Sequence, residues 1–287
     1  MTSFFTQIED TEEIRQGDII RRLNPKSSKV EALGIVITAD CDIAQKKASE
    51  RYTWLEILPM GAYIEGPWAQ EQLRKLAEKR SKAICEHLNG QIRKIQPGLA
   101  ALTQESLSHW LRSKTAEEVM ASATGQAPKE SSKPLNDLQA FALTVRTDSS
   151  QSAFSRLKAA WTLFGLDEKT QQDNVRGAFK DGGGFQDYFV LPELPRHSGL
   201  GFVVMLRSMW TIMASDLYLT EQDARIHDHP DAFHRVGRFN DSIRFSITQK
   251  LAFLFSRIGM LKTFESACET ATELTVEEFF KKNEQKA

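Results

Sequence analysis

The run YTWLEILPMGAYIEGPWAQEQLRKL, residues 52–76, changes character halfway, and that change decides how the rest of the chain is read. Its first part alternates. Tyr52, Trp54, Glu56 and Leu58 fall on one side of an extended chain, and Thr53, Leu55 and Ile57 on the other. Pro59 has no amide hydrogen to give to a sheet ladder and should end the strand. From Pro67 the period turns helical: Trp68, Leu73, Leu76, Ile84, Leu88 and Ile95 fall near one face, and proline suits the first turn of a helix. A strand gives way to a long helix, so sheet and helix are expected to alternate in blocks.

Upstream, GDIIRRL (17–23) opens on a Gly-Asp turn, ALGIVITAD (32–40) is rich in β-branched residues, and NPKSSK separates the two. Downstream, TQESLSHWLRSK and TAEEVMASA read as helices that each begin with a capping threonine. TGQAPKESSKP (124–134) reads as a loop, and LNDLQAFALTVRT and QSAFSRLKAAWTLFGL as further helices. After DGGGF (181–185), strand-like runs return at 186–194, 200–213 and 233–239. A helix striped by Ile243, Ile247, Leu251, Leu254 and Ile258 follows, with Gly259 as its cap, and residues 275–286 close the chain as a short amphipathic helix. TWLEILPM and DYFVLPEL both end an aromatic-rich strand in Leu-Pro and read as matched strand ends. The fold class expected is α+β: a small antiparallel β-barrel split by a helical insertion, with C-terminal helices. Residues 1–63 would form the first half of the barrel, 64–182 the insertion, 183–240 the second half and 241–287 a helical cap. A pair of separate domains is the alternative.

Composition narrows the function classes. Hydrophobic residues make up 41% and charged residues 26% of 287, with a formal net charge of -1, so any basic surface must be local. Cys41, Cys85 and Cys268 are odd in number and widely spaced, which suits reduced thiols in the cytoplasm. The N-terminus turns acidic at once, unlike a signal peptide, and LGFVVMLRSMWTIM is broken by Arg207 before it could span a bilayer. The expected location is cytoplasmic, with no membrane partner.

Three clusters could carry chemistry. Asp40, Cys41 and Asp42 end the β-branched run; two carboxylates on one strand face could hold a divalent cation, or one could raise the other's pKa and make it a general acid, and the thiol could act as a nucleophile if a basic neighbour lowered its pKa. The plainer reading makes Cys41 a buried hydrophobe and Asp42 the cap of a helical turn. RIHDHPDAFH (225–234) gathers His227, His229 and His234 as candidate metal ligands, although Pro230 interrupts any helical spacing and a metal-free histidine-rich loop explains it too. Arg74, Lys75, Lys79, Arg80 and Lys82 on the long helix could face a partner or nucleic acid. Equally, Glu71–Lys75 and Glu78–Lys82 spacings describe a solvated face. Arg235 and Arg238, with Arg244 and Arg257 farther on, could bind an acidic partner or pair internally. DGGGF lacks the Lys-Ser/Thr of a phosphate loop and reads as a hinge, and no dinucleotide, HExxH or GxSxG pattern occurs.

The pieces QGDII, GIVITADCDIAQKK and YTWLEILP, with DYFVLPEL, GFVVMLRSMWTI and FHRVGRFNDSIRFSITQKLAFLFSRIG, resemble uncharacterised bacterial proteins with a small SH3-like barrel. In those proteins a Cys-Asp turn follows the second strand, and a helix ending like Phe255, Arg257, Ile258 and Gly259 follows the last. The resemblance implies an SH3-like barrel and a setting in phage-defence or signalling operons, with no mechanism to carry over. The function expected is a non-catalytic binding or regulatory module of an antiviral-defence or stress-signalling system. A protein partner encoded in the same operon is expected, no cofactor is called for, and nucleic acid is a possible ligand. The alternative is a metal-dependent hydrolase or nuclease that uses Asp40 and Asp42 with the histidines.

Overall fold

Pairing between distant strands, which no local pattern encodes, sets the architecture. The computed structural model describes residues 4–23, 32–47, 50–146, 150–179, 186–199, 201–227, 229, 231–256 and 270–271. Among them, seven strands form one sheet in the order β4-β5-β3-β2-β1-β7-β6. These are β1 (Asp18–Arg22), β2 (Leu33–Val36), β3 (Arg51–Pro59), β4 (Tyr188–Leu191), β5 (Phe202–Met213), β6 (Leu217–Tyr218) and β7 (Phe233–Arg238). The expected α+β mixture is present, and strands from both sides of the helical segment share the sheet. The closed barrel is not. The order runs from edge strand β4 to edge strand β6 without joining them, and β6 pairs with β7 in parallel, so the sheet is open. The two Leu-Pro strands flank β5 on either side instead of closing a barrel.

The chain divides into two compact units, one of Met1–Glu56, Phe185–Phe189 and Met205–Ala287, the other of Ile57–Gly184 and Val190–Val204. In the first, β1 lies antiparallel between β2 and β7. Directly opposed residues of antiparallel strands share a face. Ile20 opposite Gly34 and Arg22 opposite Phe233 therefore put Ile20, Arg22, Gly34 and Phe233 on one side of the sheet. That side is packed by Ile14, Ile20, Val36, Trp54, Ile212 and Leu217. Gly34 is required here: a Cβ at that position would lie 2.2 Å from Cε3 of Trp54, whose ring covers it. At the head of β1, Gly17 has φ +91°, a conformation that the expected Gly-Asp turn needs and side-chain-bearing residues resist.

In the second unit, α2 (Met60–Tyr63) leads through a π-helical turn, Ile64–Trp68, into the 27-residue α3 (Ala69–Ile95). Pro67 thus sits inside a wide turn and not at a helix start; the looser turn tolerates its missing N–H. α4 (Gln104–Ser113) and α5 (Ala116–Thr124) begin at Thr103 and Thr115, whose hydroxyls accept the Ser106 and Glu118 amides as expected. Thr115 and Glu118 complete a capping box. α6 (Lys133–Val145) and α7 (Ala153–Leu163) also follow expectation, whereas α8 (Glu168–Phe179) does not: its first two turns are polar and give no apolar stripe. Leu88, Leu107, Leu111, Val119, Leu138 and Phe141 form the core of this helical group. Arg146 ties it together by donating to the Leu111 and Lys114 carbonyls at the end of α4.

Two further elements of the first unit are α9 (Glu221–His227) and α10 (Asp241–Ser256). DGGGF, the Gly259 cap and the closing helix at 275–286 lie outside the described residues. No helix among the described residues is long and apolar enough to cross a membrane.

Candidate functional site

The Asp-Cys-Asp cluster is not a strand end. β2 stops at Val36, and Asp40–Ala44 form the short helix α1, so strand alternation does not aim the two carboxylates together. Asp40 accepts the Gln16 amide at 2.8 Å through Oδ1 and the Arg244 guanidinium at 2.7 Å through Oδ2. It fastens the turn before β1 and the first turns of α10 to α1. Asp42 caps nothing, because the cap residue is Ala39 and makes no side-chain bond. Cys41 is exposed and not packed, with its thiol 3.7 Å from Asp42 Oδ1.

The histidines also separate. His234 is a buried residue of β7, opposite Arg21 on β1. His227, at the end of α9, stacks on Tyr218 with centroids 4.9 Å apart, and His229 Nδ1 accepts the Asp231 amide. Among the described residues no three His, Cys, Asp or Glu side chains converge as metal ligands. On α3, Arg74 bridges Glu71 and Glu78, and Lys75 lies 3.5 Å from Glu71. Glu78 therefore pairs backwards with Arg74, not forwards with Lys82 as its spacing suggested. Arg80 lies over the Phe164 ring at 4.6 Å, and Lys79 and Lys82 are exposed.

Arg235 and Arg238 pair internally. Three residues apart on a regular strand, they would face opposite ways. A bulge breaks the register between Ile19 and Ile20, so that Arg238 opposes Asp18 and Arg235 opposes Ile20 on the same face. Asp18, fully buried, receives Arg238 Nε at 2.5 Å and Nη2 at 3.2 Å, and the Arg15 amide at 2.8 Å. Arg238 also reaches Glu12 at 2.8 Å, and Arg235 donates to the Glu9 and Glu12 carbonyls. Burial pushes the Asp18 carboxyl above its usual range against the pull of Arg238 and the Arg15 amide. The Arg238–Asp18 pair ties β7 to β1, and the remaining donors hold the N-terminal segment onto the sheet, so the network has a structural task.

What the sequence did not single out is a groove of about 400 Å³ on the packed side of the first unit's sheet. Trp54, Trp210 and Phe233 supply its aromatic walls, Arg22 and Arg51 its cations, and Glu56 is among its acids. Trp54 stacks on Trp210 with centroids 6.4 Å apart and meets Phe233 at 5.3 Å. Trp210 is 54% exposed, yet fixed: its Nε1 donates to Ser208 Oγ at 2.9 Å, and Ser208 donates to Glu56 Oε2 at 2.7 Å. Arg22 pairs with Asp231 and lies 5.7 Å from the Phe233 centroid. Arg51 has no ion-pair partner among the described residues. A larger hollow, about 670 Å³, follows α4, but apart from Leu102 its lining comes from that one helix and brings no separate elements together.

The groove's aromatic walls and its arginines come from β1, β3, β5 and β7, so strand pairing unites them. The one local signal is Trp54 and Trp210, two tryptophans on alternating strands beside polar residues of the same face. No protein-family model, curated protein or solved structure matches this chain.

Proposed function

We propose that the chain is a non-catalytic binding or regulatory module that takes its ligand in the Trp54–Trp210 groove. The observation that carries this reading is a half-exposed indole held in place by the Trp210–Ser208–Glu56 hydrogen-bond chain. A large apolar ring kept rigid at the mouth of a groove is a contact surface prepared before a ligand arrives, which lowers the ordering cost of binding. The hydrolase alternative lacks comparable support, since Asp40 is committed to Gln16 and Arg244 and His234 is buried in β7. Use in a defence or stress-signalling system, with a partner from the same operon, rests on the sequence resemblance alone.

The test is a ligand screen read by fluorine NMR on protein carrying 5-fluorotryptophan at its five tryptophans. The library should span nucleotides, methylated amines, carboxylates, sugars and short peptides. The expected result is that at least one class moves the Trp54 and Trp210 resonances together. Shifts confined to Trp68, Trp110 or Trp161 would reject the groove.

A further inference from the structure

We infer that the groove takes an arginine side chain of a partner protein, its guanidinium laid on Trp210 and bonded to Glu56; this rests on the groove being the binding site. The first observation is the balance of charge. Glu56, Asp216 and Asp231 line the groove against the guanidiniums of Arg22 and Arg51. Arg22 and Asp231 cancel in an ion pair. Among the described residues Glu56 and Asp216 meet only neutral hydroxyls, Ser208 at 2.7 Å and Ser215 at 3.3 Å. Arg51 does not answer Glu56, because the two are separated along β3 by roughly 16 Å of extended chain. The second observation is where that acid stands. β3 and β5 run in opposite directions, since Ala214 donates to the Glu50 carbonyl, Trp210 stacks on Trp54 and Ser208 bonds Glu56. Glu56 therefore borders the tryptophan pair, and Ser208, which holds it, also receives Trp210 Nε1. An indole 54% exposed and a carboxylate without a cation are thus fixed side by side through one hydroxyl.

A carboxylate that accepts one hydroxyl still has acceptor sites to fill. The ligand that suits both groups is a flat cation with N–H donors on its edge. A guanidinium stacks its plane on an aromatic face and donates from its edge to a carboxylate. A quaternary ammonium would meet the ring and give Glu56 no hydrogen bond, and a primary ammonium has no plane to stack. Charge also separates an arginine within a chain from free arginine. The free amino acid would bring its own carboxylate among three acids, whereas an arginine in a peptide brings none.

The experiment titrates the full chain with blocked glycine peptides whose central residue is arginine, citrulline, lysine or trimethyllysine. A trifluoroacetyl cap on each peptide reports affinity by fluorine NMR, and 5-fluorotryptophan in the wild-type chain reports where the peptide lands. Citrulline keeps the planar N–H edge and removes the charge. Wild type is compared with E56Q, which keeps an acceptor for Ser208, and with D216N and W210A, with circular dichroism as the check on folding. The expected result is that the arginine peptide moves the Trp210 resonance and binds about threefold or more tighter than the other three. E56Q and W210A should each weaken it about threefold or more, and D216N less than E56Q. Should a variant fail to fold, the four peptides on wild type decide. Citrulline, lysine or trimethyllysine binding as tightly as arginine overturns the inference, as does arginine binding unchanged in E56Q or W210A. Free arginine that displaces the peptide at equal concentration overturns the protein source. Another ligand class that moves Trp54 and Trp210 while the arginine peptide does not overturns the inference and leaves the groove standing. If no class of the wider screen moves either tryptophan, the groove reading falls as well.

Discussion

Asp40 and Asp42 are two residues apart and have different work. Asp40 joins Gln16 and Arg244, so Asp40→Ala is expected to cost about 1–2 kcal/mol, at the low end for charge-assisted bonds because the side chain is 41% exposed. Asp42→Ala should stay within about 0.5 kcal/mol. Urea denaturation of the two variants compares them directly. A second pair of carboxyls should titrate in opposite directions. Asp18 is pushed up by burial, while Glu12 is held down by the Glu9 amide and by Arg238. The sign for stability follows from which state holds more protons. Asp18 contributes stability below its unfolded value of about 3.9 and loses it as pH rises through its raised folded value. Glu12 contributes above about 4.3 and loses it as pH falls through its lowered folded value. Carboxyl-carbon NMR titration should place Asp18 above Glu12, the reverse of their ordinary order. Nothing local in the sequence marks Asp18 as buried; its guanidinium partner Arg238 lies 220 residues away.

At the scale of elements, the bulge in the β1–β7 pair has the largest expected consequence. Removing Arg238 leaves the Asp18 carboxylate buried without its bidentate partner, so Arg238→Ala should cost about 3–5 kcal/mol. It should also release the segment held by Arg238 at Glu12 and Glu13, seen as faster proteolysis within residues 4–16. Gly34→Ala tests the other strand contact. Its Cβ would meet the Trp54 ring at 2.2 Å, so a loss of about 1–3 kcal/mol and a shifted Trp54 resonance are expected. The helices were legible because their signals are local: Thr103 and Thr115 caps, and stripes such as Leu107 with Leu111. β6, of two residues, and the polar α8 left no such pattern. The strand reading of Asp40 failed because β-branched Ile37 and Thr38 continue the look of a strand beyond Val36, where the chain already turns into α1.

At the scale of the whole molecule, the strands apart from β6 were legible and their order was not. Sequence neighbours suggested hairpins closing into a barrel, yet β7 pairs with β1, and β5 lies between β3 and β4. Loop closure over such separations carries no residue-level signature. The groove shares that limit, since Arg22, Trp54, Trp210 and Phe233 meet only once the strand order is set. Where a ligand lands therefore decides whether the groove is the binding site. Fluorine NMR can ask this in one spectrum, with 5-fluorotryptophan in the chain and a trifluoromethyl tag on exposed Cys41. On adding a ligand class that the screen finds to bind, the Trp54 and Trp210 resonances should move while the Cys41 tag stays still. A shift of the Cys41 tag with both tryptophans unmoved would return the site to the Asp40–Asp42 turn and contradict the groove.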